Sequence, residues 1–460
     1  MRNFRKDSEK RKENKRFYKN EFPEAKQFKS KKKEEEVVYP TAEERRNEAY
    51  DHKEAVQKNQ IKFYRNLVEA VIVCLQKSFG DGIKVDQVIE KVLKSNSKWG
   101  SRDRAFIAET TYDIVRNWRL LWEVWDKEPF LSDKNMFSII GLHYKLKGVS
   151  VPEWDEFQEI RLYQFKERFT KFQKVRKIRE SIPDWMDEYG LKELGDKWEE
   201  NLSKLNQQAE VVLRTNTLKI SRPDFFNWLN QNGMEAELVE PLQDGVILRQ
   251  RRNIFKLEAF QSGWFEMQDA SSQMVGEFSG VKPGMRVIDA CAGAGGKSLH
   301  LAALMQNKGK IVSMDIEQKK LDELKRRARR AGVSIIESRV IDNSKVIKRL
   351  ENSADVLLLD VPCSGSGVIR RNPDAKWKLQ PRFIDEVKRT QQQILQDYTK
   401  MLKSGGTLIY ATCSIFPSEN DAQVDSFLAS NPEFSLVEKK TLLPAEFGFD
   451  GFFMAKMTKA

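Results

Sequence analysis

The sequence predicts an α/β fold, a parallel sheet covered by helices on both faces, preceded by an all-helical segment and a small α+β module. Three observations carry that prediction. From Met267 onward short apolar runs alternate with helical patterns, and such alternation implies right-handed crossovers into a parallel sheet. Residues 291–297, CAGAGGK, make a glycine-rich turn between the apolar run Arg286–Asp289 and a helical pattern that begins near Ser298. Residues 357–367, LLLDVPCSGSG, run from apolar residues into an acid and then directly into a proline, a cysteine and glycines. A strand with both faces covered loses alternation in this way. Ligands in such sheets sit beyond the carboxyl ends of the strands, so Asp360 and Cys363 are expected where chemistry happens.

Composition narrows the classes of function. The 460 residues contain 40% hydrophobic residues, and no apolar run approaches the ~18 residues a membrane-spanning helix needs. The N-terminus is charged but has no hydrophobic signal region, and its many acids argue against a transit peptide, so the expected location is the cytoplasm. Cys74, Cys291, Cys363 and Cys413 are the four cysteines, too widely spaced for a disulfide framework or a zinc knuckle. Three histidines leave little for a metal site or a histidine-based triad. No metal is expected, and reduced thiols are the reactive groups in view.

The net charge of +12 points to a polyanionic partner. Residues 1–33 carry 14 Lys/Arg against five Asp/Glu, and residues 161–179 carry eight against one. Together these surpluses exceed the net charge, so the remainder of the chain is net acidic and the basicity is concentrated in two segments.

Taken in order, residues 1–55 are rich in Lys, Arg, Glu and Asn with few apolar anchors, which predicts a mobile basic arm. Residues 56–148 predict a helical domain: Phe63, Leu67, Ala70, Val71 and Cys74 share one face, and Phe106, Thr110, Ile114, Trp118 and Leu121 share another over Asp103 to Trp122. Cap candidates lie in Ser101 to Arg104. Residues 149–208 form a basic helical connector. Within it, Arg161 to Arg179 predicts one amphipathic helix, with Phe165, Phe169 and Phe172 on a stripe surrounded by Lys166, Arg168, Lys171, Lys174, Arg176 and Lys177. Such a helix docks its aromatics on a core and turns its cations toward phosphate, while membrane-surface binding is disfavoured by the absence of an anchor. Residues 209–265 predict the α+β module, with a strand in VVLRTNTL, a helix over Phe225 to Leu229, and strands at Ala236 to Val239 and Gly245 to Leu248. Arg214 and Asn216, with Arg249, Arg251 and Arg252, are candidates for RNA contacts; decoration of an exposed strand is the ordinary alternative.

Residues 266–460 make the catalytic domain. Gly293, Gly295 and Gly296 let the backbone approach a ligand at a helix N-terminus. Asp315 closes the second strand, Lys310 to Asp315, in position to accept hydrogen bonds from two ribose hydroxyls, and Asp342 follows a third strand, Ile335 to Ile341, in position to meet an adenine edge. Nucleoside recognition follows, for a nicotinamide dinucleotide or for S-adenosylmethionine. Cys363 and Cys413, at the ends of neighbouring strands, separate the two. Hydride transfer has no use for such a pair. Methylation of a pyrimidine ring carbon has one, because the ring becomes nucleophilic only after a thiolate adds to the adjacent carbon.

DACAGAGGK, Asp315, DVPCSGSG, RRNPDAKW, ATCS with Glu419 and Asn420 following, and DGFFMAKM together resemble the Sun/Nop family of RNA (cytosine-5) methyltransferases over about residues 209–457. SRDRAFIAETTYDIVRNWRLL resembles the signature helix of a NusB-type RNA-binding domain. The combination is similar to the bacterial branch that acts on 16S ribosomal RNA, and it implies a Rossmann-like class I methyltransferase sheet preceded by an RNA-binding α+β module and a NusB-like domain. In that family the counterpart of Cys413 attacks carbon 6 of cytosine, and the counterpart of Cys363 is associated with product release. Asp360 would hold the cytosine edge or protonate N3, with Lys297 reaching the same pocket. The resemblance implies S-adenosylmethionine held by Asp289, Cys291, Ala292, Gly293, Ala294, Gly295, Gly296, Lys297, Asp315, Asp342 and Asp360. It also places Arg370, Arg371 and Lys376 against RNA phosphates. The chain departs from the family in Gly293 and Ala294, where Ala-Pro is usual, and in Val361, where Ala is usual; neither change removes a functional group. RNA is the expected partner, ribosomal RNA first, the protein a monomer, and the target base unpaired or flipped out. Transfer RNA methylation, or a non-catalytic RNA-binding assembly factor, is the alternative.

Overall fold

The computed structural model describes residues 61–460, and the basic arm expected over residues 1–55 lies outside them. The described residues form two compact units that divide between Asp187 and Glu188.

The first unit is helical. Helices Arg65–Gly80, Val85–Ser95, Ser101–Arg116, Trp118–Trp125 and Asp133–Leu146 bury Leu67, Ala70, Val71, Cys74, Thr110, Ile114, Trp118 and Leu121, the faces read from periodicity. The single helix expected from Asp103 to Trp122 is in fact two, broken at Asn117. The Asn117 side chain donates to the Asp113 carbonyl at 2.9 Å, and this local bond competes with helix continuation. At the start of the first piece the cap position is Gly100, whose amide is accepted by the Asp103 carboxylate at 2.9 Å.

The basic segment also differs from expectation. In place of one helix over residues 161–179 there are short helices Lys166–Gln173 and Arg176–Arg179, parted at Lys174 and Val175. Of its aromatics only Phe172 is buried. Arg168 donates to the Glu123 carbonyl, Arg176 chelates Asp187, Lys177 meets Asp184 and Arg179 meets Glu180. With Arg161, which meets Glu153, five of the segment's eight cations are engaged inside the unit rather than presented as one phosphate-facing stripe.

In the second unit, helix Lys197–Leu205 is followed by an antiparallel sheet, β1 (Val211–Thr215), β2 (Ala236–Leu238), β3 (Gly245–Leu248) and β4 (Phe265–Met267), in the order β2-β3-β1-β4. Helix Arg222–Gln231 starts on Ser221, whose hydroxyl accepts from Asp224 N, and packs Phe225 and Leu229 against Leu213, Val246 and Phe265.

The larger sheet contains β5 (Arg286–Asp289), β6 (Lys310–Asp315), β7 (Ile336–Val340), β8 (Ala354–Asp360), β9 (Leu402–Thr412), β10 (Phe434–Leu442) and β11 (Phe452–Lys459), in the order β10-β11-β9-β8-β5-β6-β7. Along β8, Leu357 and Leu359 enter one core while Val356 and Leu358 enter the other; β9 does the same with Leu408 and Tyr410 against Ile409 and Ala411. Both faces are therefore dry, which is why LLLD lacks alternation. Strands β5 to β9 are parallel where they pair, but β11 runs antiparallel to both β9 and β10, so the expectation of a wholly parallel sheet is corrected. Only residues 443–451 join β10 to β11, too few for a crossover helix. Among the described residues no helix is long and apolar enough to cross a membrane.

Candidate active site

The carboxyl ends of β5, β6, β8 and β9 bring most of the sequence-predicted residues together. Gly295, at φ +84°, caps helix Gly296–Leu304, and its amide closes the turn on the Ala292 carbonyl at 2.9 Å. A Cβ at Gly295 would strike Leu324 at 2.5 Å, so the position is closed to larger residues by packing as well as by backbone conformation. Asp315 accepts from the amides of Gly293 and Glu317, both at 2.9 Å, and locks the turn to the end of β6. Asp342 is exposed at the end of β7.

Whether this turn fits S-adenosylmethionine can be judged from the space around it. Cβ atoms built at Gly293 and Gly296 meet nothing within 4 Å, which leaves an open cradle beside the Asp315 carboxylate. Ile316, 71% exposed directly after Asp315, offers an apolar surface to a nucleobase. Ile316 was missed because one apolar residue after a strand gives no periodic signal. Asp289, expected at the cofactor, is wholly buried at the end of β5 and accepts from Ser298 Oγ at 2.6 Å. Burial pushes its carboxyl up to about 7. Cys291 packs against the core cluster that includes Ile288, Ala290 and Met314, and burial raises its thiol well above the ordinary value. Ala292 is likewise buried, against Leu321 and Leu324.

Lys297 and Asp360 form an ion pair at 2.6 Å, with the Lys297 ammonium 5.1 Å from the centre of the Phe452 ring. Burial alone would lower the Lys297 ammonium, but the Asp360 carboxylate outweighs it and raises the group above the usual lysine value. One strand over, Cys363 Sγ and Cys413 Sγ stand 3.2 Å apart, both free and both partly accessible. The hydrogen bond with Cys413, then burial, holds the Cys363 thiol well above its ordinary value.

Glu419 fixes this geometry. Its carboxylate is fully buried and accepts from Ser364 N at 2.7 Å, Ser364 Oγ at 2.5 Å, Ser414 Oγ at 2.6 Å and Gln391 Nε2 at 3.2 Å. Ser364 and Ser414 each follow one of the two thiols, so a single side chain staples both thiol loops. Gly367 completes the closure: its amide donates to the Cys413 carbonyl at 2.9 Å, and a Cβ there would lie 2.1 Å from the Gly451 carbonyl. The sequence contained Glu419 beside ATCS but gave no sign that its partners come from two loops. Glu419→Ala would remove the acceptor that four buried donors share, and is expected to lower stability by about 2–4 kcal/mol. Thermal unfolding checks this, with a larger shift expected for Ala than for Gln.

The residues expected to contact RNA have partners within the protein. Arg214 is buried and donates to the Gly296 carbonyl at 2.7 Å; Asn216 donates to the carbonyls of Gly263 and Ala331 at 2.7 and 2.9 Å. Arg370 reaches the carbonyls of Gly448 and Gln208, Arg371 joins Asp450 and Asp269, and Lys376 donates from a fully buried position to Asn206 Oδ1. Arg249 pairs with Glu237, and Arg251 reaches the Ala209 carbonyl. Folding uses these cations to join loops, and sequence alone does not distinguish a buried arginine from an exposed one. Among the described residues no group of three or more His, Cys, Asp or Glu side chains is arranged to hold a metal.

Comparison with known proteins places the chain. Residues 280–458 match the family described as 16S rRNA methyltransferase RsmB/F, and residues 182–255 match the Methyltr_RsmF/B-like, ferredoxin-like domain. Ribosomal RNA small subunit methyltransferase B of Shigella boydii is 34% identical over 327 residues, covering 68% of this chain and 74% of the relative. The chain belongs to the RsmB/F family. Probable ribosomal RNA small subunit methyltransferase B of Bacillus subtilis is 34% identical over 297 residues, 60% of this chain, and the match spans 65% of that relative's own length. Among solved structures, PH0851 is 25% identical with a TM-score of 0.75, covering 87% of this chain and 100% of its own. A methyltransferase homologue from Pyrococcus horikoshii is 27% identical with a TM-score of 0.56, covering 62% of this chain and 98% of its own.

Proposed function

We propose that this RsmB/F-family chain is a cytoplasmic, S-adenosylmethionine-dependent methyltransferase that makes 5-methylcytosine in 16S ribosomal RNA. The observation that carries the reading is the pair of thiols 3.2 Å apart at the ends of β8 and β9, beside the Lys297–Asp360 pair. The names of the RsmB relatives favour ribosomal over transfer RNA, and retention of both thiols disfavours a non-catalytic assembly factor. The cofactor, when bound, supplies an electrophilic methyl group.

The chain's residues do the rest. Asp315, Gly293 and Gly296 hold the nucleoside end, with Ile316 against the base. Asp360, steadied by Lys297, holds the edge of the flipped cytosine. Cys413 attacks carbon 6, forming an S–C bond and making carbon 5 nucleophilic. The hydrogen bond with Cys413, 3.2 Å away, is the first cause that holds the Cys363 thiol above its ordinary value, and that cause is lost once Cys413 is bonded to carbon. With Cys413 bonded to carbon, Cys363 gives its own proton to solvent, and the resulting thiolate takes the proton from carbon 5 once that carbon carries the methyl group; the S–C bond breaks and the ring double bond is restored.

Bisulfite sequencing of total RNA from a strain lacking the gene tests the reading. One protected cytosine should disappear from 16S RNA. Loss from transfer RNA alone, or no loss at all, would refute the assignment.

A further inference from the structure

The glycine turn is held from outside the catalytic sheet. In the small sheet, Arg214 of β1 lies opposite Glu266 of β4, and both side chains are buried. Glu266 accepts from Arg327 Nε and Nη2 at 3.2 and 3.0 Å, and from Arg330, whose guanidinium lies 3.8 Å from the centre of the Phe260 ring. Arg327 belongs to helix Gln318–Ala331, and it turns its remaining Nη1 to the Ala294 carbonyl at 2.8 Å. Arg214 Nη1 reaches the Gly296 carbonyl at 2.7 Å. Two guanidiniums therefore end on the carbonyls at either side of Gly295, and one carboxylate of the small module orients the first of them.

Docking of the two sheets alone would need only the Glu266 ion pairs. It does not account for both arginines ending on the glycine-rich turn that holds Gly293, Gly295 and Gly296. Each unfixed residue costs about 1–2 kcal/mol of ordering when a ligand arrests it, and fixing the segment beforehand removes that cost from binding. We propose that Glu266, acting through Arg327, and Arg214, acting directly, preorganise the turn, so that the cofactor site is complete only with the α+β module docked. Arg327 and Arg214 are positioning residues; neither is assigned to the reacting atoms. The inference rests on reading the turn as the S-adenosylmethionine site.

Equilibrium dialysis of labelled S-adenosylmethionine against the full chain, with thermal unfolding of each variant, separates the two claims. The unaltered chain should bind, and Arg327→Gln should bind about tenfold more weakly, the effect expected for losing one charged hydrogen bond. In transfer assays the loss should fall on the KM for the cofactor rather than on kcat, and the affinity for RNA should stay as it was. Glu266→Gln should reproduce the effect; if that buried variant does not fold, the partly exposed Arg327 decides. Arg327→Gln with unaltered melting and unaltered cofactor affinity would overturn the inference and leave the cofactor reading standing. Failure of the unaltered chain to bind S-adenosylmethionine would overturn both.

Discussion

Cys413→Ala is expected to lower methyl transfer from labelled S-adenosylmethionine to small-subunit RNA by about 10⁴-fold or more. The size follows from the chemistry: without a sulfur bonded to carbon 6, carbon 5 of cytosine has no electron density to give, and proximity alone cannot replace it. The fold should tolerate the change, because Cys413 is only partly buried and Glu419 holds its loop through Ser414. Cofactor affinity should persist, which distinguishes loss of the nucleophile from collapse of the site. Transfer persisting within tenfold of the unaltered chain would assign the nucleophile elsewhere, with Cys363 next in place.

Cys363→Ala should give the opposite outcome on a denaturing gel. Here Cys413 can still attack, but nothing 3.2 Å away takes up the proton whose removal lets the sulfur leave. A protein–RNA adduct resistant to denaturant should accumulate in the presence of the cofactor, with turnover lowered by about 10²–10⁴-fold, the range for a positioned proton acceptor. The double variant Cys363→Ala/Cys413→Ala should form no adduct. An adduct in the double variant, or none in Cys363→Ala, would reverse the roles given to the two thiols.

The legible part of the fold was the part set by local pattern. LLLD, the glycine turn and the acid at Asp315 each carry their cause within a few residues, and the structure builds β8, the turn and β6 around them. The antiparallel β11 was not legible, because strand direction depends on the length of a connection whose ends must first be recognised. Asn117 and Val175 broke helices that periodicity had joined, since a period reports a face and not its interruptions. The partners of the cations were the least legible. Arg214, Arg370 and Lys376 look like RNA contacts in a linear string, yet each closes on a carbonyl or amide oxygen distant in sequence. Glu419 shows the converse, a residue visible in a motif whose partners only the assembled loops disclose.

Adjacency in the sheet has a consequence for distance. β5, β8 and β9 are consecutive neighbours, and they end respectively on the glycine turn, on Asp360 and just before Cys413. Strands in a sheet lie about 4.8 Å apart, so the outer two of these three are separated by about 10 Å. Hydrogen bonding of the backbone itself thus acts as a ruler. In the proposed reaction this ruler would set methyl donor and sulfur on either side of a base seated over β8, at a span no side-chain rotamer has to choose.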